Sequence, residues 1–228
     1  MHATTATDTG RPAKDALFAA FAKIGRALGN GHRVELVDVL AQGERSVEEL
    51  AREIGQSVAN TSQHLQVLSH AGVTQSERRG QRVVYRLVGD DVAGLLGALR
   101  AVAARHLLEV EVLASAYLGD RADVELITSD ELEARLANGS VVVLDVRPAV
   151  EYAAGHIAGA HSAPVGELVA GMTEVPRGEQ VVAYCRGPYC VYADDAVRYL
   201  RALGVDASRL DVGFPEWRRD GRPVAVTG

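Results

Sequence analysis

Cysteine is scarce in this 228-residue chain, which holds only two, Cys185 and Cys190, both in its second half. Two cysteines cannot build a framework of disulfides. In a reducing compartment such a pair is typical of catalytic, redox or metal-binding sites. Long apolar runs are absent as well, since none approaches the roughly 18 residues that span a membrane. The sequence therefore predicts no membrane partner and confines thiol chemistry to one place.

The N-terminus lacks the basic patch and apolar core of a secretory signal. We interpret residues 1–12, rich in Thr, Ala and Gly, as a disordered tail and expect a cytoplasmic protein. Basic residues are in deficit, with 24 Lys and Arg against 30 Asp and Glu. The deficit is uneven: residues 1–120 carry 13 basic and 14 acidic side chains, whereas residues 121–228 carry 11 and 16. Of the two halves, only the first has a charge balance that is compatible with binding the phosphate backbone of a nucleic acid.

Two short helices in the first half are joined by a tight turn. Ser46 to Glu49 is a capping box that opens the first, Gly55-Gln56 forms the turn, and Ser57 can cap a second helix over Val58–Ala71. This arrangement is typical of a helix-turn-helix motif, whose second helix lies in the major groove of DNA. The candidate DNA-contacting residues of that helix and its cap are Ser57, Ala59, Asn60, Ser62, Gln63, His64 and Gln66.

A hairpin pattern follows directly, from Val73 to Leu87, with its turn at Arg79-Gly80-Gln81. A hairpin in this position is typical of a wing whose arginines reach phosphates or a narrow minor groove. The alternative is a solvated charged face, but the coincidence with a helix-turn-helix favours DNA. The wing arginines are Arg78, Arg79, Arg82 and Arg86.

The segment from Asp91 to Leu118 is predicted to be one long helix, rich in Leu, Val and Ala. It offers more apolar surface than one small domain can cover. We therefore interpret it as a dimerisation helix that pairs with the first helix, Ala13–Leu28. A homodimer would present two recognition helices to a two-fold symmetric operator in double-stranded DNA.

Residues 13–118 resemble the winged-helix repressors of the ArsR/SmtB family. The resemblance rests on Ser57 to Leu68, on Ala71-Gly72-Val73 and on the Arg79-Gly80 wing. It implies a mainly α-helical, dimeric DNA-binding domain that releases DNA when a metal or an oxidant binds.

The metal sites of that family are not reproduced in this sequence. At the two positions where the family's metal motif carries cysteines, this chain has Ser46 and Glu48. Its first half contains no cysteine. A second family site on the last helix would need ligands where Ala93 and Leu95 stand. We therefore expect no metal in this half.

The pattern changes after Gly119 to Val124, a polar stretch that we interpret as a linker. Strands then alternate with helices, which predicts an α/β domain with a parallel central sheet over residues 125–228. The apolar run Val141–Leu144 is typical of a strand buried on both faces. Asp145 and Arg147 follow it at the functional end of such a sheet.

A second strand, Val181–Tyr184, leads into Cys185, a short loop and Cys190, before a helix from Val191. Backbone N–H groups of such a loop, the helix dipole and Arg186 would all lower the pKa of Cys185. A Cys185 thiolate could attack the outer sulfur of thiosulfate, polysulfide or a persulfide and hold the product. The candidate catalytic residues are Cys185, Arg186, Gly187, Tyr189 and Cys190, with Asp145 and Arg147 bracing the loop.

Residues 125–228 resemble the rhodanese family of sulfurtransferase domains. The resemblance rests on five motifs, Asp145-Val146-Arg147, Glu151-Tyr152, Gly155 to Ala160, Tyr184-Cys185 and Gly213 to Trp217. It implies sulfur transfer through a persulfide, and we expect no cofactor. The family's frequent loop-closing arginine is replaced by Cys190, which predicts a low turnover with thiosulfate.

The complete chain thus resembles ArsR-type regulators that carry a C-terminal rhodanese module. Three functions stay open: a DNA-binding repressor that senses or transfers reactive sulfur at Cys185, a sulfurtransferase with a DNA-tethering module, and an arsenite or soft-metal regulator using both thiols. The role of Cys190 is also open, between attacking a Cys185 persulfide and packing at the start of a helix.

Overall fold

The computed structural model describes residues 10–174 and 178–227, and the chain divides between Val92 and Ala93 into two compact units. Of the predicted tail, residues 1–9 lie outside the described residues, and the first helix begins at Arg11. In these described ranges, no helix combines the length and the apolar character needed to cross a bilayer.

The first unit packs helices against a small antiparallel sheet of strand order β1-β3-β2. Its elements are α1 (Arg11–Leu28), α2 (Gly31–Ala41), β1 (Arg45–Ser46), α3 (Val47–Glu53), α4 (Val58–His70), β2 (Thr74–Arg79) and β3 (Arg82–Leu87).

The predicted helix-turn-helix is confirmed. Ser46 Oγ accepts from the backbone N–H of Glu49 at 3.3 Å, and the Glu49 carboxylate accepts from the Ser46 N–H at 2.8 Å. Ser57 caps α4 through the N–H of Asn60. The core that holds these helices together consists of fully buried leucines, Leu36, Leu50, Leu65 and Leu68.

The predicted wing is also confirmed. Strands β2 and β3 pair antiparallel, and Arg79 lies opposite Arg82 beside the turn. Gly80 has φ +64°, a left-handed conformation that glycine adopts without steric cost. The sequence did not predict β1, which pairs Arg45 with Tyr85 and places a third strand at the edge of the hairpin.

The prediction of one continuous helix after the wing is wrong. The segment forms α5 (Asp90–His106) and α6 (Leu108–Leu118), separated by Leu107 in an extended conformation. Arg105 and His106 lie in the last turn of α5, and Glu109 lies in the first turn of α6. Because Arg105 and Glu109 carry the charge signs that their helix ends favour, the break is stabilised electrostatically.

The second unit is an α/β fold built on a five-stranded parallel sheet of order β4-β9-β8-β5-β7, as predicted. Its further elements are β4 (Leu126–Ile127), α7 (Ser129–Ala137), β5 (Val141–Asp145), α8 (Ala149–Ala154), β6 (His156–Ile157), β7 (His161–Ser162), α9 (Val165–Val169), β8 (Gln180–Tyr184), α10 (Tyr192–Ala202), β9 (Ala207–Leu210), α11 (Phe214–Arg219) and β10 (Val224–Ala225).

Apolar clusters cover both faces of this sheet, one including residues of α9 and α10 and the other residues of α7 and α11. Strand β8 lies at its centre, and Val181 to Tyr184 are fully buried. Asp145, the last residue of β5, is paired with Tyr184, the last residue of β8. The sheet therefore brings Asp145 beside the start of the cysteine loop, which we define as Cys185 to Cys190.

The cysteine loop packs directly against the start of α11. The backbone N–H of Phe214 donates to the Cys185 carbonyl at 3.2 Å. A Cβ added at Gly213 would lie 2.4 Å from the backbone of Arg186 and Gly187, so no side chain fits there. This close approach explains why the Gly213–Trp217 motif begins with glycine.

We predict that Gly213→Ala lowers the free energy of unfolding of the second unit by about 1–3 kcal/mol, because backbone atoms cannot move aside as a flexible side chain would. Urea denaturation followed by the fluorescence of Trp217, the chain's one tryptophan, measures this loss. Gly166→Ala is the matched control, since a Cβ there meets no atom within 4 Å. An equal loss in both variants would contradict the packing argument.

Candidate cysteine-loop site and nucleic-acid interface

The cysteine loop holds two free thiols of different exposure. Cys185 follows β8 and is only 2% exposed, whereas Cys190, just before α10, is half-buried. Both cysteines bond to the same carbonyl, since Cys185 Sγ donates to Gly187 O at 3.9 Å and the Cys190 N–H donates to it at 3.2 Å. The structure therefore brings the two predicted cysteines to one point of the loop.

The proton distribution between the thiols differs from the expectation of a Cys185 thiolate. Burial raises the pKa of Cys185 well above its usual value, and contact with Cys190 raises it further. The hydrogen bond from Cys185, together with hydrogen bonds to the backbone of Tyr192 and Arg186, lowers the pKa of Cys190 to about 7. Burial therefore favours Cys190 over Cys185 as the charged thiol of the reduced pair.

Arg186 was predicted to lower the pKa of Cys185, and in the structure its backbone and its charge lower the pKa of Cys190. Its guanidinium pairs with the fully buried carboxylate of Glu151, with Nη2 2.5 Å from Oε1. Among the charges that act on Cys185, the one that lowers its pKa is Arg209 of β9. The reason is geometric, because Arg186 leaves the loop toward α8 whereas Arg209 lies beneath it.

Two arginines outside the loop hold its carbonyl groups. Arg209 donates to the Gly187 carbonyl at 3.0 Å and lies 3.2 Å from the carboxylate of Asp194 in α10. Arg121 donates to the carbonyls of Pro188 and Cys190 at 2.8 and 3.1 Å and to the same carboxylate at 2.6 Å. Because these loop carbonyls are bonded to guanidinium groups outside the loop, the backbone N–H groups of the loop can face the thiols.

Asp145 and Arg147 lie below the loop and are fully buried. They form an ion pair in which Nη2 and Oδ2 are 2.5 Å apart, and Arg147 also donates to the Gly155 carbonyl. The Tyr184 hydroxyl donates to Asp145 at 2.5 Å. Because Tyr184 directly precedes Cys185, this pair positions the end of β8, which supports the predicted bracing role.

Tyr189 borders a cavity of about 670 Å³ together with Arg121 and residues of α5 and α6. Gly187 is buried under Glu216, whose carboxylate caps the N-terminus of α11. Within residues 10–174 and 178–227, no three His, Cys, Asp or Glu side chains are grouped so that they could hold a metal ion.

The predicted DNA-contacting residues of the first unit lie along one element and its cap. Ser57, Ala59, Gln63 and Gln66 are exposed, while Asn60, Ser62 and His64 are half-buried. Asn60 donates its amide to Gln56 at 2.8 Å. The His64 ring lies 5.7 Å from that of His32, and burial followed by the charge of Arg33 lowers its pKa. His64 therefore packs against α2 as a neutral side chain.

All four predicted wing arginines, Arg78, Arg79, Arg82 and Arg86, are exposed. Arg79 differs from the others in its partners, since its guanidinium pairs with both Glu44 and Glu77. Its charge is thereby partly neutralised, so Arg82 offers more to a phosphate than Arg79 does.

Sequence reasoning missed the residues that hold the cysteine loop from outside. The sequence pattern placed Arg121 in the linker and did not single out Arg209. The sequence does contain a signal for Arg209, because this arginine lies within a short strand of a buried parallel sheet. A charged side chain in such a place requires a buried partner. Asp194 offers the same signal on the inner face of a helix.

We predict that one thiolate forms with a midpoint near pH 7, because the lowered pKa belongs to Cys190. Titration of the ultraviolet thiolate absorbance measures it. In Cys185→Ala the midpoint rises, since the strongest stabilising hydrogen bond is lost, and in Cys190→Ala no thiolate forms near neutral pH. A neutral-pH thiolate that persists in Cys190→Ala would reverse the assignment.

Comparison with known families agrees with this two-part architecture. The family model described as "Bacterial regulatory protein, arsR family" matches residues 30–76, and that of the rhodanese-like domain matches residues 128–220. A sulfurtransferase of Allochromatium vinosum is 34% identical over 105 residues, covering 45% of this chain and 96% of its own length.

A homodimeric winged helix-turn-helix domain from Mycobacterium bovis, solved by NMR, is 38% identical and covers 48% of this chain and 95% of its own, with a TM-score of 0.40. The HTH-type transcriptional regulator Rv0324 of Mycobacterium tuberculosis is 45% identical over 211 residues, 92% of each chain. Since this identity runs through both halves, the chain belongs to the HTH-type transcriptional regulators that join an arsR-family DNA-binding domain to a C-terminal rhodanese-like domain.

Proposed function

We propose that this regulator is a dimeric, cytoplasmic repressor that binds operator DNA and responds to sulfane sulfur through a persulfide on Cys185. The observation that carries the proposal is the placement of both cysteines against the Gly187 carbonyl inside the cysteine loop, with the pKa of Cys185 raised and the pKa of Cys190 lowered to about 7. The pair forms the chemical part of the sensor, and the winged helix forms the DNA-binding part.

The first step transfers sulfur to Cys185. The Cys190 thiolate accepts the Cys185 proton while the Cys185 sulfur attacks the outer sulfur of thiosulfate or a polysulfide. A new S–S bond forms, and the donor's own S–S bond breaks with its electron pair leaving on sulfite or the shortened polysulfide. The persulfide anion then lies in the loop, where Arg209 and backbone N–H groups stabilise it.

The second step releases the sulfur. Cys190 attacks the inner sulfur of the Cys185 persulfide, a Cys185–Cys190 disulfide forms, and the outer sulfur leaves as hydrosulfide with the Cys190 proton. No external oxidant is needed, because the outer sulfur is itself reduced. An attacking thiol whose pKa lies near ambient pH is close to optimal for this exchange.

Slow turnover is part of the proposal. Cys185 is almost completely covered, and no arginine closes the loop at its last position, where Cys190 stands. Sulfur donors reach such a thiol slowly, and the loop has one cationic group fewer to bind an anion. Both features suit a protein that reacts once and keeps the modified thiol. These features favour sensing over a sulfurtransferase that is merely tethered to DNA.

Exposed apolar side chains support the homodimer. They lie on α1, α5 and α6, where water would otherwise contact many large apolar groups. They include Leu17, Phe18, Phe21, Leu99, Val102, Leu108, Val112, Leu113 and Tyr117.

We predict that polysulfide releases the protein from a DNA fragment selected from a random pool, with affinity falling roughly 5- to 150-fold, the usual range of coupling between two sites. Intact-mass spectrometry run in parallel finds a loss of two hydrogens in the wild type, for the disulfide. Cys190→Ser instead gains one sulfur atom, and Cys185→Ser forms no disulfide and keeps its DNA. Identical release by Cys185→Ser and the wild type would refute the sensor role.

We also predict that Arg82→Ala weakens DNA binding irrespective of sequence and reduces the slope of log affinity against log salt by about 1, because one phosphate contact is lost. Arg79→Ala is the matched control on the same hairpin and has a smaller effect, since Glu44 and Glu77 already neutralise Arg79. Fluorescence anisotropy over a salt series measures both. Equal slopes for Arg82→Ala and the wild type would remove Arg82 from the interface.

A further inference from the structure

The side chain of Arg121 attaches the segment between α6 and β4 to the cysteine loop. Its three guanidinium nitrogens donate to two loop carbonyls, those of Pro188 and Cys190, and to the carboxylate of Asp194. The Arg121 side chain is 24% exposed, whereas Asp194 is 1% exposed. A long side chain from an apparent linker is thus held in a fixed geometry by three acceptors.

Asp194 makes this attachment part of a larger network. Its carboxylate bridges Arg121 on one side and the buried Arg209 on the other. Arg209 in turn holds the Gly187 carbonyl. The network therefore binds the loop at the carbonyls of Gly187, Pro188 and Cys190. When the loop backbone moves there, the arginine side chains move with it.

Closing the thiol pair produces such a movement. The two free thiols belong to residues that both bond to the Gly187 carbonyl, and a disulfide would fix their sulfurs at about 2.05 Å. Cys185 is fixed at the end of a central strand and by the N–H of Phe214 on its carbonyl. Cys190 lies outside regular secondary structure, so its backbone, including the carbonyl that Arg121 binds, is the part that shifts.

Arg121 is separated from α6 by only two residues. Gly119 ends that helix with φ +70°, and its N–H donates to the Ser115 carbonyl in the last turn. A glycine in the left-handed region fixes the direction in which the chain leaves a helix. A displaced Arg121 therefore acts on the C-terminal turn of α6, whose exposed apolar residues belong to the proposed dimer surface.

We infer that Arg121 is the positioning residue that transmits the state of the Cys185–Cys190 pair to α6. The reduced pair keeps the Cys190 carbonyl within reach of Arg121 and holds the end of α6 in place. The disulfide withdraws that carbonyl and loosens the end of the helix. The inference deepens the proposed function by naming its route, but its test does not depend on the physiological sulfur donor.

The experiment compares amide hydrogen exchange of residues 108–118 in the full-length protein before and after oxidation with diamide. In this reaction the two S–H bonds break, one S–S bond forms, and both protons and electrons pass to the diamide N=N bond. Intact mass confirms that each sample is fully reduced or fully oxidised. We expect exchange in α6 of the wild type to rise several-fold on oxidation.

In Arg121→Gln the exchange of α6 is expected to be equal in the two states. Arg121→Lys serves as a second variant that keeps a positive charge beside Asp194 but lacks the fork that spans two carbonyls, and it is expected to be equally insensitive. It keeps the inference testable if Arg121→Gln does not fold.

Arg198→Gln is the matched control. Arg198 lies in α10 and binds the segment that carries Arg121, through the Asp120 carbonyl and the Asp123 carboxylate, and among the described residues it has no hydrogen bond to the loop. It is expected to respond to oxidation as the wild type does. A wild type whose α6 ignores oxidation, or an Arg121→Gln variant that responds normally, overturns the inference. Failure of polysulfide to oxidise the pair when diamide succeeds would instead count against the proposed function.

Discussion

Buried pairs of carboxylate and guanidinium groups hold the cysteine loop in place. A loop without regular secondary structure has to be fixed from outside if its backbone is to face a sulfur atom. Asp145 and Arg147 hold the strand that enters it, Glu151 holds Arg186 within it, and Asp194 with its arginines holds its second half. Removing one partner of such a pair costs about 3–5 kcal/mol, because the other charge stays buried. This cost is what makes the loop a single defined structure.

Within that frame, burial decides which thiol carries the charge. Desolvation disfavours a thiolate on Cys185, and the two sulfurs cannot both be charged at such close range. The half-buried Cys190 has the backbone hydrogen bonds and the donated S–H that a thiolate needs. In the proposed reaction, Cys190 therefore serves first as the base for Cys185 and then as the thiol that converts the persulfide into a disulfide.

The magnitudes are sufficient for regulation. A coupling of about 1–3 kcal/mol between two sites changes affinity by the range typical of allosteric proteins. One hydrogen bond to a charged group contributes about 1.5–3 kcal/mol. The loss of a single bond between Arg121 and the Cys190 carbonyl is thus comparable to the whole effect that a repressor requires. No large rearrangement of the rhodanese-like unit is needed.

The sequence by itself determined the helix-turn-helix with its wing, the parallel sheet and the position of both thiols, because capping boxes, periodicity and motifs are local signals. It did not determine that α5 and α6 are separate helices, since Leu107 carries no glycine or proline signal. Only the tertiary structure decided that Arg186 faces Glu151, that Arg209 acts on Cys185, and that Arg121 and Asp194 hold the loop. Pairings between residues so distant in the chain depend on how strands and helices pack. The same packing buries one cysteine more than the other, and a local sequence pattern does not encode that difference in burial.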